Sequence, residues 1–380
     1  MDNKRIDLPV NWIDGMKVNK NHFIATDNNI AQQVRNTYLS FITPFNYGLL
    51  LQSEGNVTPL KIIIDIDNQA YIHVKVLNCS AITRGGSRID IQNNYFSDND
   101  LSEAMPQVKI GTENPINEDY FIALTVNPFE RVPSGVPDVE ETPPRLPNVL
   151  PRYNLSIHTK NELDTVRNDN SLIIGKLHIV NNKPEIDESF IPPCQTIFSH
   201  PNLVEYHAQL VKVMGQIEID IIDILHGIKD KKQSTSIAGT VEDVSNAILT
   251  FIGVHMVEFR NIAKYHPPVY IFEQIAALAR TIINAINKQS SADREEFLNY
   301  VKDWSGLAQG VFRGLLNSAV EYEYNHNDIN ESINCMAPFV NAISKVCNTL
   351  SNLDFIGKKK DRHIFVKEQK EKPGNSFLVD

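Results

Sequence analysis

The residues whose types and spacing could do chemistry begin with two carboxylates and one glycine-rich segment. Asp65 and Asp67 lie two positions apart, so a strand would place both side chains on one face. Paired carboxylates serve glycoside hydrolysis or cation binding, but beside Asn68 they are also typical of a strand that runs into a turn. Gly85-Gly86-Ser87 lacks the Lys-Ser/Thr pair and the helix of a phosphate loop, which favours a plain hairpin turn.

A polar aromatic cluster, the histidines and the cysteines offer further candidate chemistry. Tyr322, Glu323, Tyr324 and His326 fit either a binding site or a turn packed by aromatic side chains. The eleven histidines show no metal-ligand spacing, and the sequence has no HExxH, P-loop, GxSxG or GxGxxG motif. Four cysteines without a CxxC pair indicate reduced thiols in a cytoplasmic protein. We therefore expect no enzymatic activity, no cofactor and no metal site.

Length and charge exclude several classes of partner. A chain of 380 residues that is 42% hydrophobic is globular and long enough for two or three domains. The formal net charge of −10 argues against nucleic acid and against an anionic membrane surface as the main partner. Residues 1–15 show no signal-peptide pattern, and no run of about 18 apolar residues predicts direct membrane insertion.

The elements that must position these residues start with a helix and continue as a β-rich segment. Residues 22–40 carry a helical apolar stripe of Phe23, Ile30, Val34 and Tyr38. Alternation predicts strands over residues 61–67, 70–77, 88–92, 120–126, 154–158 and 171–180, with a turn at 83–87 and a bulge at Gly175. Within 70–77, the face of Ile72, Val74 and Val76 is the predicted core side. Short strands at this spacing indicate a β-sandwich or a barrel-like sheet.

Proline breaks the β-rich half in two places. Seven prolines between Pro128 and Pro151 predict an extended arm rather than a sheet centre, because proline has no backbone donor. The arm exceeds the usual loop length, so we expect it to reach a neighbouring subunit or a partner. Ile191-Pro192-Pro193-Cys194 marks the predicted end of the β domain.

From Pro201 onward the hydrophobic period becomes about 3.5 residues, which predicts helices. Further helical patterns cover residues 240–265, 268–288 and 292–323, and short connections favour an antiparallel bundle. Two heptad seams stand out, and they fit either packing within the chain or self-association. Their residues are Leu210, Met214, Ile217, Ile221 and Ile224 in the first seam, and Ile329, Ile333, Met336, Val340 and Ile343 in the second.

The predicted fold class is α+β and multidomain. A β-sandwich shoulder covers residues 1–195, and an α-helical bundle covers residues 196–352. Residues 353–380 are polar and locally basic, which predicts a short tail that orders when it binds a partner.

Short segments in a fixed order resemble TssK, the baseplate adaptor of bacterial type VI secretion. Trp12-Ile13-Asp14-Gly15-Met16, followed by Asn21-His22-Phe23 and Asp27, resembles the opening motif of that family. Asp14 replaces the usual Glu, and Asn21 replaces the usual Gln. Further resembling segments are Phe45-Asn46-Tyr47-Gly48, Arg152-Tyr153-Asn154-Leu155, Ser171 to Leu177, Ile191-Pro192-Pro193-Cys194 and His266-Pro267-Pro268-Val269-Tyr270.

The resemblance implies a structural adaptor that acts as a homotrimer in a contractile injection machine. It implies a shoulder that binds the wedge subunits TssF and TssG, and a bundle at a three-fold axis. It also implies a cytoplasmic protein docked at the inner face of the inner membrane, with the membrane-complex components TssL and TssM as further partners. Only 30 residues follow Leu350, so the family's C-terminal head domain is expected to be reduced or absent.

The same resemblance suggests a partner interface in the shoulder. Its predicted residues are Trp12, Gly15, Met16, His22 and Phe23. The alternative is that these side chains only fasten the first helix to the sandwich.

A second hypothesis is a receptor- or glycan-binding module of a phage-like contractile tail. For that role Tyr71 beside Asp65 and Asp67 is the one suggestive group.

Overall fold

A computed structural model describes residues 7–51, 58–66, 71–92, 107–111, 119–163, 168–180 and 183–357. Within these residues one helix and nine strands come first, and six long helices follow. The predicted α+β class, with a β-rich front half and a helical back half, is therefore confirmed. Asp67, Asn68 and the basic part of the tail lie outside the described residues.

The front half consists of helix α1 (Lys20–Leu39) and two antiparallel sheets. In the first sheet β1 and β2 flank β3, which also pairs with β4 and β5; the second has the order β7-β6-β8-β9. The strands are β1 (Gly48–Leu49), β2 (Leu60–Ile66), β3 (Tyr71–Ile82), β4 (Arg88–Ile91), β5 (Gln107–Gly111), β6 (Tyr120–Ser134), β7 (Asn148–Thr159), β8 (Ser171–Val180) and β9 (Lys183–Ile186).

The two sheets pack face to face as a sandwich. Ile72, Val74 and Val76 are buried, as the alternation of β3 predicts. Across the sandwich, the backbone N–H of Asp90 donates to the hydroxyl of Tyr153 at 3.2 Å. The register of β6 against β8 shifts next to Gly175, which confirms the predicted bulge.

The back half is a bundle whose six helices all follow the sandwich. They are α2 (Pro201–Asp230), α3 (Ser236–Asn261), α4 (Val269–Asn287), α5 (Ser291–Ser305), α6 (Gln309–Glu321) and α7 (Ile329–Ser351). The prediction of one helix over residues 292–323 is wrong, because Gly306 adopts a left-handed conformation (φ 76°) and ends α5. By length and composition α3 and α4 would suit a membrane span, which the sequence reading did not expect; here both contribute to the bundle core.

The proline-rich arm is a β-hairpin whose strands end at Ser134 and begin again at Asn148, and residues 135–147 form its irregular loop. β6 and β7 remain paired from Arg131 opposite Pro151 to Ser134 opposite Asn148. β8 pairs only with residues 120–125 of β6, so the outer part of the hairpin has two strands. Such a ribbon tolerates proline because its strand edges need no further hydrogen-bond partner from the sheet.

Both heptad seams are covered by the chain's own helices. α2 packs against α3 and α7, and α7 also contacts α4, α5 and α6. Burial within one chain means that these side chains are not surface for a second copy, so self-association needs a different face. The buried seam residues are Leu210, Met214, Ile217, Ile221, Ile224, Ile329, Met336, Val340 and Ile343, with Ile333 half-buried.

The linker Ile191–Cys194 takes the place of a neighbouring strand for β1. The Leu49 N–H donates to the Pro193 carbonyl at 2.8 Å, and the Gln195 N–H donates to the Leu49 carbonyl at 2.8 Å. Gly48 makes this approach possible, since it has φ 109° and a Cβ there would lie 2.0 Å from the Pro193 oxygen.

The same linker also holds the helices. The Ile329 N–H at the start of α7 donates to the Ile191 carbonyl at 3.1 Å, and the Ile197 N–H donates to the His266 carbonyl at 3.0 Å. One hydrophobic cluster runs from the sandwich through Ile191 and Ile197 into the bundle. The domain boundary at residue 195 stays a prediction.

The polar aromatic cluster packs a turn at this junction. The Nε2 of His326 lies 2.9 Å from the Tyr47 carbonyl, and its Nδ1 lies 2.9 Å from the Tyr324 hydroxyl. A neutral imidazole satisfies both contacts when Nε2–H donates to the carbonyl and Nδ1 accepts from the hydroxyl. The Tyr47 hydroxyl donates to Asn327 at 3.2 Å. Burial lowers the pKa of His326 to about 4.

We predict that Gly48→Ala destabilises the whole chain by at least about 2 kcal/mol, because the new Cβ meets the Pro193 backbone and the left-handed conformation strains alanine. Urea unfolding measures the change. Gly253→Ala in α3 is the control: no atom lies within 4 Å of the added Cβ, so helix propensity should raise stability by up to about 1 kcal/mol. Equal effects of both substitutions would contradict the role of Gly48.

We also predict that acid weakens the junction through His326. Its pKa in the folded chain lies below the ordinary value of 6.5, so the unfolded chain takes up the proton first. The stabilising contribution is complete above pH 6.5, falls as the pH decreases, and is lost by about pH 4. The free energy of unfolding that is lost between pH 6.5 and pH 4 is about 3 kcal/mol. Urea unfolding across this range should show a smaller pH slope for His326→Gln; an unchanged slope would contradict the assignment.

Candidate protein interface

Helix α1 begins with a capping box that uses one of the predicted interface residues. The Asn19 side chain accepts the N–H of Asn21 at 2.9 Å, and the Nδ1 of His22 accepts the N–H of Asn19 at 3.2 Å. His22 thus fixes the start of the helix.

Helix α1 packs on the turn between β3 and β4. The Arg35 side chain donates to the Gly85 carbonyl at 2.6 Å and to the Asn170 side chain at 3.3 Å. At Gly86 (φ 76°) a Cβ would lie 2.8 Å from the Arg35 carbonyl oxygen. Gly86 therefore serves the close approach of the helix, and Gly85 serves the approach of the Asp169 backbone, whose carbonyl oxygen would lie 2.6 Å from a Cβ there. The plain-turn interpretation of this segment is confirmed.

Polar contacts also attach α1 to the arm and to the segment before it. The guanidinium of Arg131 on β6 donates to the Asp27 carboxylate at 3.1 and 3.2 Å. The Asn29 side chain donates to the Asp7 carbonyl at 2.6 Å. Because Arg131 lies where the hairpin leaves the sandwich, α1 and the base of the arm form one continuous face.

The outward face of α1 is apolar and has no cover from described residues. Phe23 is 60%, Ile30 55% and Val34 50% exposed, and Gln32 alone among the residues of α1 is buried. Contiguous apolar patches of this kind mark interaction sites. We define the α1 surface by its exposed large apolar side chains: Leu8, Trp12, Ile13, Val18, Phe23, Ile30, Val34, Tyr38, Leu39, Phe41 and Phe45.

The structure brings the five predicted interface residues together at one end of the α1 surface. The Trp12 ring lies 6.0 Å from His22 and 6.5 Å from Phe23. Gly15 has φ 77°, which turns the chain so that Trp12 comes back over the helix start, and Met16 is half-buried there. Partner binding by these residues stays a prediction. The sequence reading did not place the stripe of Ile30, Val34 and Tyr38 on the surface, although its helical period was visible.

Exposed charges lie at the N-terminal end of this surface, at Asp14, Lys17 and Lys20. Asp27 is paired with Arg131, and the guanidinium of Arg35 is directed to the hairpin turn. The remaining exposed polar groups of α1 include amides and hydroxyls such as those of Asn36 and Thr37. An apolar centre around Ile30 and Val34, with charges toward one end, matches the composition of protein–protein interfaces.

The other candidate chemistry gains no site from the structure. Asp65 on β2 pairs in register with His73 on β3. Among the described residues no group of three His, Cys, Asp or Glu side chains is placed to hold a metal ion. Burial raises the pKa of the Cys79 and Cys347 thiols to about 12, which makes both inert as nucleophiles.

The fold is similar to that of solved type VI secretion proteins. A crystal structure of TssK matches with a TM-score of 0.52 at 15% identity, over 90% of this chain and 70% of that chain. A chain in the baseplate complex from the type VI secretion system matches with a TM-score of 0.50 at 13% identity, over 90% of this chain and 99% of that chain. No family model and no curated protein sequence matches this chain. The chain is thus a divergent TssK-like protein in fold, as the resemblance in the sequence predicts.

We predict that Gly86→Ala detaches α1 from the turn between β3 and β4, because the new Cβ would lie 2.8 Å from the Arg35 carbonyl oxygen. Limited proteolysis followed by mass spectrometry should show faster cleavage within residues 7–47. Gly15→Ala is the matched control, since its φ is nearly the same but no atom lies within 4 Å of the Cβ. Equal cleavage of both variants would show that backbone strain, not the close approach, governs the attachment.

Proposed function

We propose that this protein is a structural adaptor of a type VI secretion baseplate, which binds the baseplate wedge through the α1 surface and self-associates as a homotrimer. The uncovered apolar face of α1 on a TssK-like fold carries the proposal. The wedge partners would be proteins of the TssF and TssG type. The adaptor would work in the cytoplasm, at the inner face of the inner membrane, and link the wedge toward the membrane complex.

The α1 surface supports wedge binding by its chemistry. Its large apolar side chains would leave water on binding, at roughly 25 cal/mol per Å² of buried apolar area. Aromatic anchors such as Trp12, Phe23 and Phe41 are enriched among residues that dominate binding energy. The base of the arm, joined to α1 through Arg131 and Asp27, would extend the same contact.

A second face of α2 supports self-association in place of the buried seams. Apolar residues recur there at steps of 4, 3 and 4, which is an 11-residue repeat and keeps the stripe nearly parallel to a straight helix. Ile219 in this stripe is 55% exposed, and nothing lies within 4 Å of a Cβ built at Gly215. We define the α2 stripe as Val204, Ala208, Val211, Gly215, Ile219 and Ile222.

Charges beside the α2 stripe suit a parallel arrangement of copies. Helical geometry places Lys212 and Asp223 along one side of the stripe, and Glu218 and Lys229 along the other. Each opposite-charge pair, Lys212 with Glu218 and Asp223 with Lys229, is separated by the same six positions. That is about 9 Å along the axis, so neighbouring copies in register would match both pairs with long side chains.

We predict that Ile30→Asp with Val34→Asp abolishes binding to the wedge subunits while the free energy of unfolding changes by no more than about 0.5 kcal/mol, because both side chains are half-exposed in the free chain. Co-purification of tagged protein with the products of neighbouring genes measures binding. Val311→Asp on α6, at 53% exposure, is the matched control. Recovery of wedge subunits by the double variant would contradict the assigned face.

We predict a trimer mass in solution for the unmodified chain and a monomer mass for Ile219→Asp. A charge at position 219 of the α2 stripe would be desolvated between copies without a partner. Light scattering distinguishes the two masses. The substitution does not change the buried face of α2, which includes Met214. The monomer should therefore stay folded and keep its helical signal. A monomeric unmodified chain would refute the homotrimer.

A further inference from the structure

A cleft of about 660 Å³ lies between the second sheet and the start of α7. This volume is in the range of pockets that hold small molecules. The cleft is therefore large enough for a single side chain. One wall carries Asp119, Lys176 and Asp187, and the other carries Asp328 and Glu331. The cleft is distant in sequence from the α1 surface, and neither wedge binding nor self-association uses it.

The floor of the cleft is apolar. Phe121, Leu163, Ile173 and Phe190 form a hydrophobic cluster of their own, separate from the main core. The rings of Phe121 and Phe190 lie 6.2 Å apart, nearly perpendicular, and the Lys176 ammonium lies 5.8 Å from the centre of the Phe121 ring. This floor offers contact to an aliphatic stem, and it already accepts one cation above an aromatic face.

The carboxylates on the sandwich wall have partners. Asp119 lies 2.8 Å from the Lys176 ammonium and 2.6 Å from Nδ1 of His178. Asp187 lies 3.0 Å from Nε2 of the same histidine and 3.6 Å from Lys176. Burial alone would raise the pKa of Asp119, but the hydrogen bonds from Lys176 and His178 outweigh it and lower the pKa. Both carboxylates on this wall therefore already have cationic or hydrogen-bonding partners.

The carboxylates on the α7 wall are not matched in the same way. Asp328 accepts the Glu331 N–H at 3.1 Å as the cap of the helix, and Glu331 accepts from the Asn325 side chain at 2.8 Å. Within the described part of the chain neither carboxylate has an ion pair. Burial raises the pKa of Asp328, and the Glu331 N–H and the charge of Lys176 offset only part of this effect. The lining as a whole holds four carboxylates against two lysines, Lys160 and Lys176.

We propose that this cleft binds one basic side chain presented by a partner polypeptide, with the cationic head between Asp328 and Glu331 and the aliphatic stem over Phe121 and Phe190. The excess of carboxylates disfavours an anion. Lys160, which also lines the cleft, disfavours a polyamine with a second positive charge. An arginine head suits the pair best, because its planar fork can donate to two carboxylates at once.

Cys335 provides a reporter inside the cleft. It lines the cleft and is exposed, whereas Cys79, Cys194 and Cys347 are buried. Alkylation of the native full-length chain by N-ethylmaleimide therefore reports access to this position. The probe is Nα-acetyl-arginine methylamide, and its neutral counterpart is Nα-acetyl-citrulline methylamide, which has the same shape without the charge.

We expect the arginine probe to slow alkylation of Cys335 and the citrulline probe to leave it unchanged. Asp328→Asn with Glu331→Gln should weaken the protection by roughly tenfold or more, because charge-assisted hydrogen bonds are lost. Asparagine caps a helix as well as aspartate does, and glutamine can still accept from Asn325, so the variant should keep its fold. Its thermal unfolding checks this.

Glu295→Gln with Glu296→Gln, at two exposed positions of α5, is the charge-matched control and should retain the full protection. Equal protection by both probes would overturn the proposal in favour of a neutral ligand. Protection of Cys335 that persists in Asp328→Asn with Glu331→Gln would also overturn it. So would the absence of any protection by the arginine probe. None of these outcomes depends on trimer formation or on wedge binding.

Discussion

The close approach of two backbone segments, Gly48 to Pro193, is the constraint on which the architecture depends. Only a residue without a Cβ fits there, and the approach lets the linker Ile191–Cys194 pair with β1 as a strand would. The linker then presents further carbonyls and amides to the start of α7 and to the turn before α4. Consequently a contact that involves no polar side chain helps to position the start of α7 and the turn before α4 against the sandwich. Three of the segments that resemble TssK, around Tyr47, Pro193 and His266, converge at this point.

Local pattern predicted the elements well, because alternation and helical period reflect burial directly. The core face of Ile72, Val74 and Val76 is an example. For the heptad seams the pattern left packing within the chain and self-association open. The break at Gly306 was missed because apolar spacing continues across it, and only the backbone conformation ends the helix. The cleft was out of reach for a different reason. Its walls come from segments around residues 119–190 and 325–335, which no local signal connects.

The α1 surface shows a further limit of sequence reading. A stripe of Phe23, Ile30 and Val34 has the same period whether its cover is the chain's own core or another protein. The two apolar surfaces nevertheless differ in their borders. The exposed charges Asp14, Lys17 and Lys20 lie at the N-terminal end of the α1 surface, whereas complementary charges line both sides of the α2 stripe, which suits copies of one chain.

The continuous core at the linker has a mechanical consequence. Pulling the sandwich away from the bundle would have to break several backbone hydrogen bonds and wet buried side chains in the same step, so the joint should behave as a stiff and brittle element. Helix α1 is held mainly by a few polar contacts at Arg35, Asp27 and Asn29, and should yield at much lower force. Under tension the sandwich and the bundle would therefore move as one rigid unit, and helix α1 would detach first.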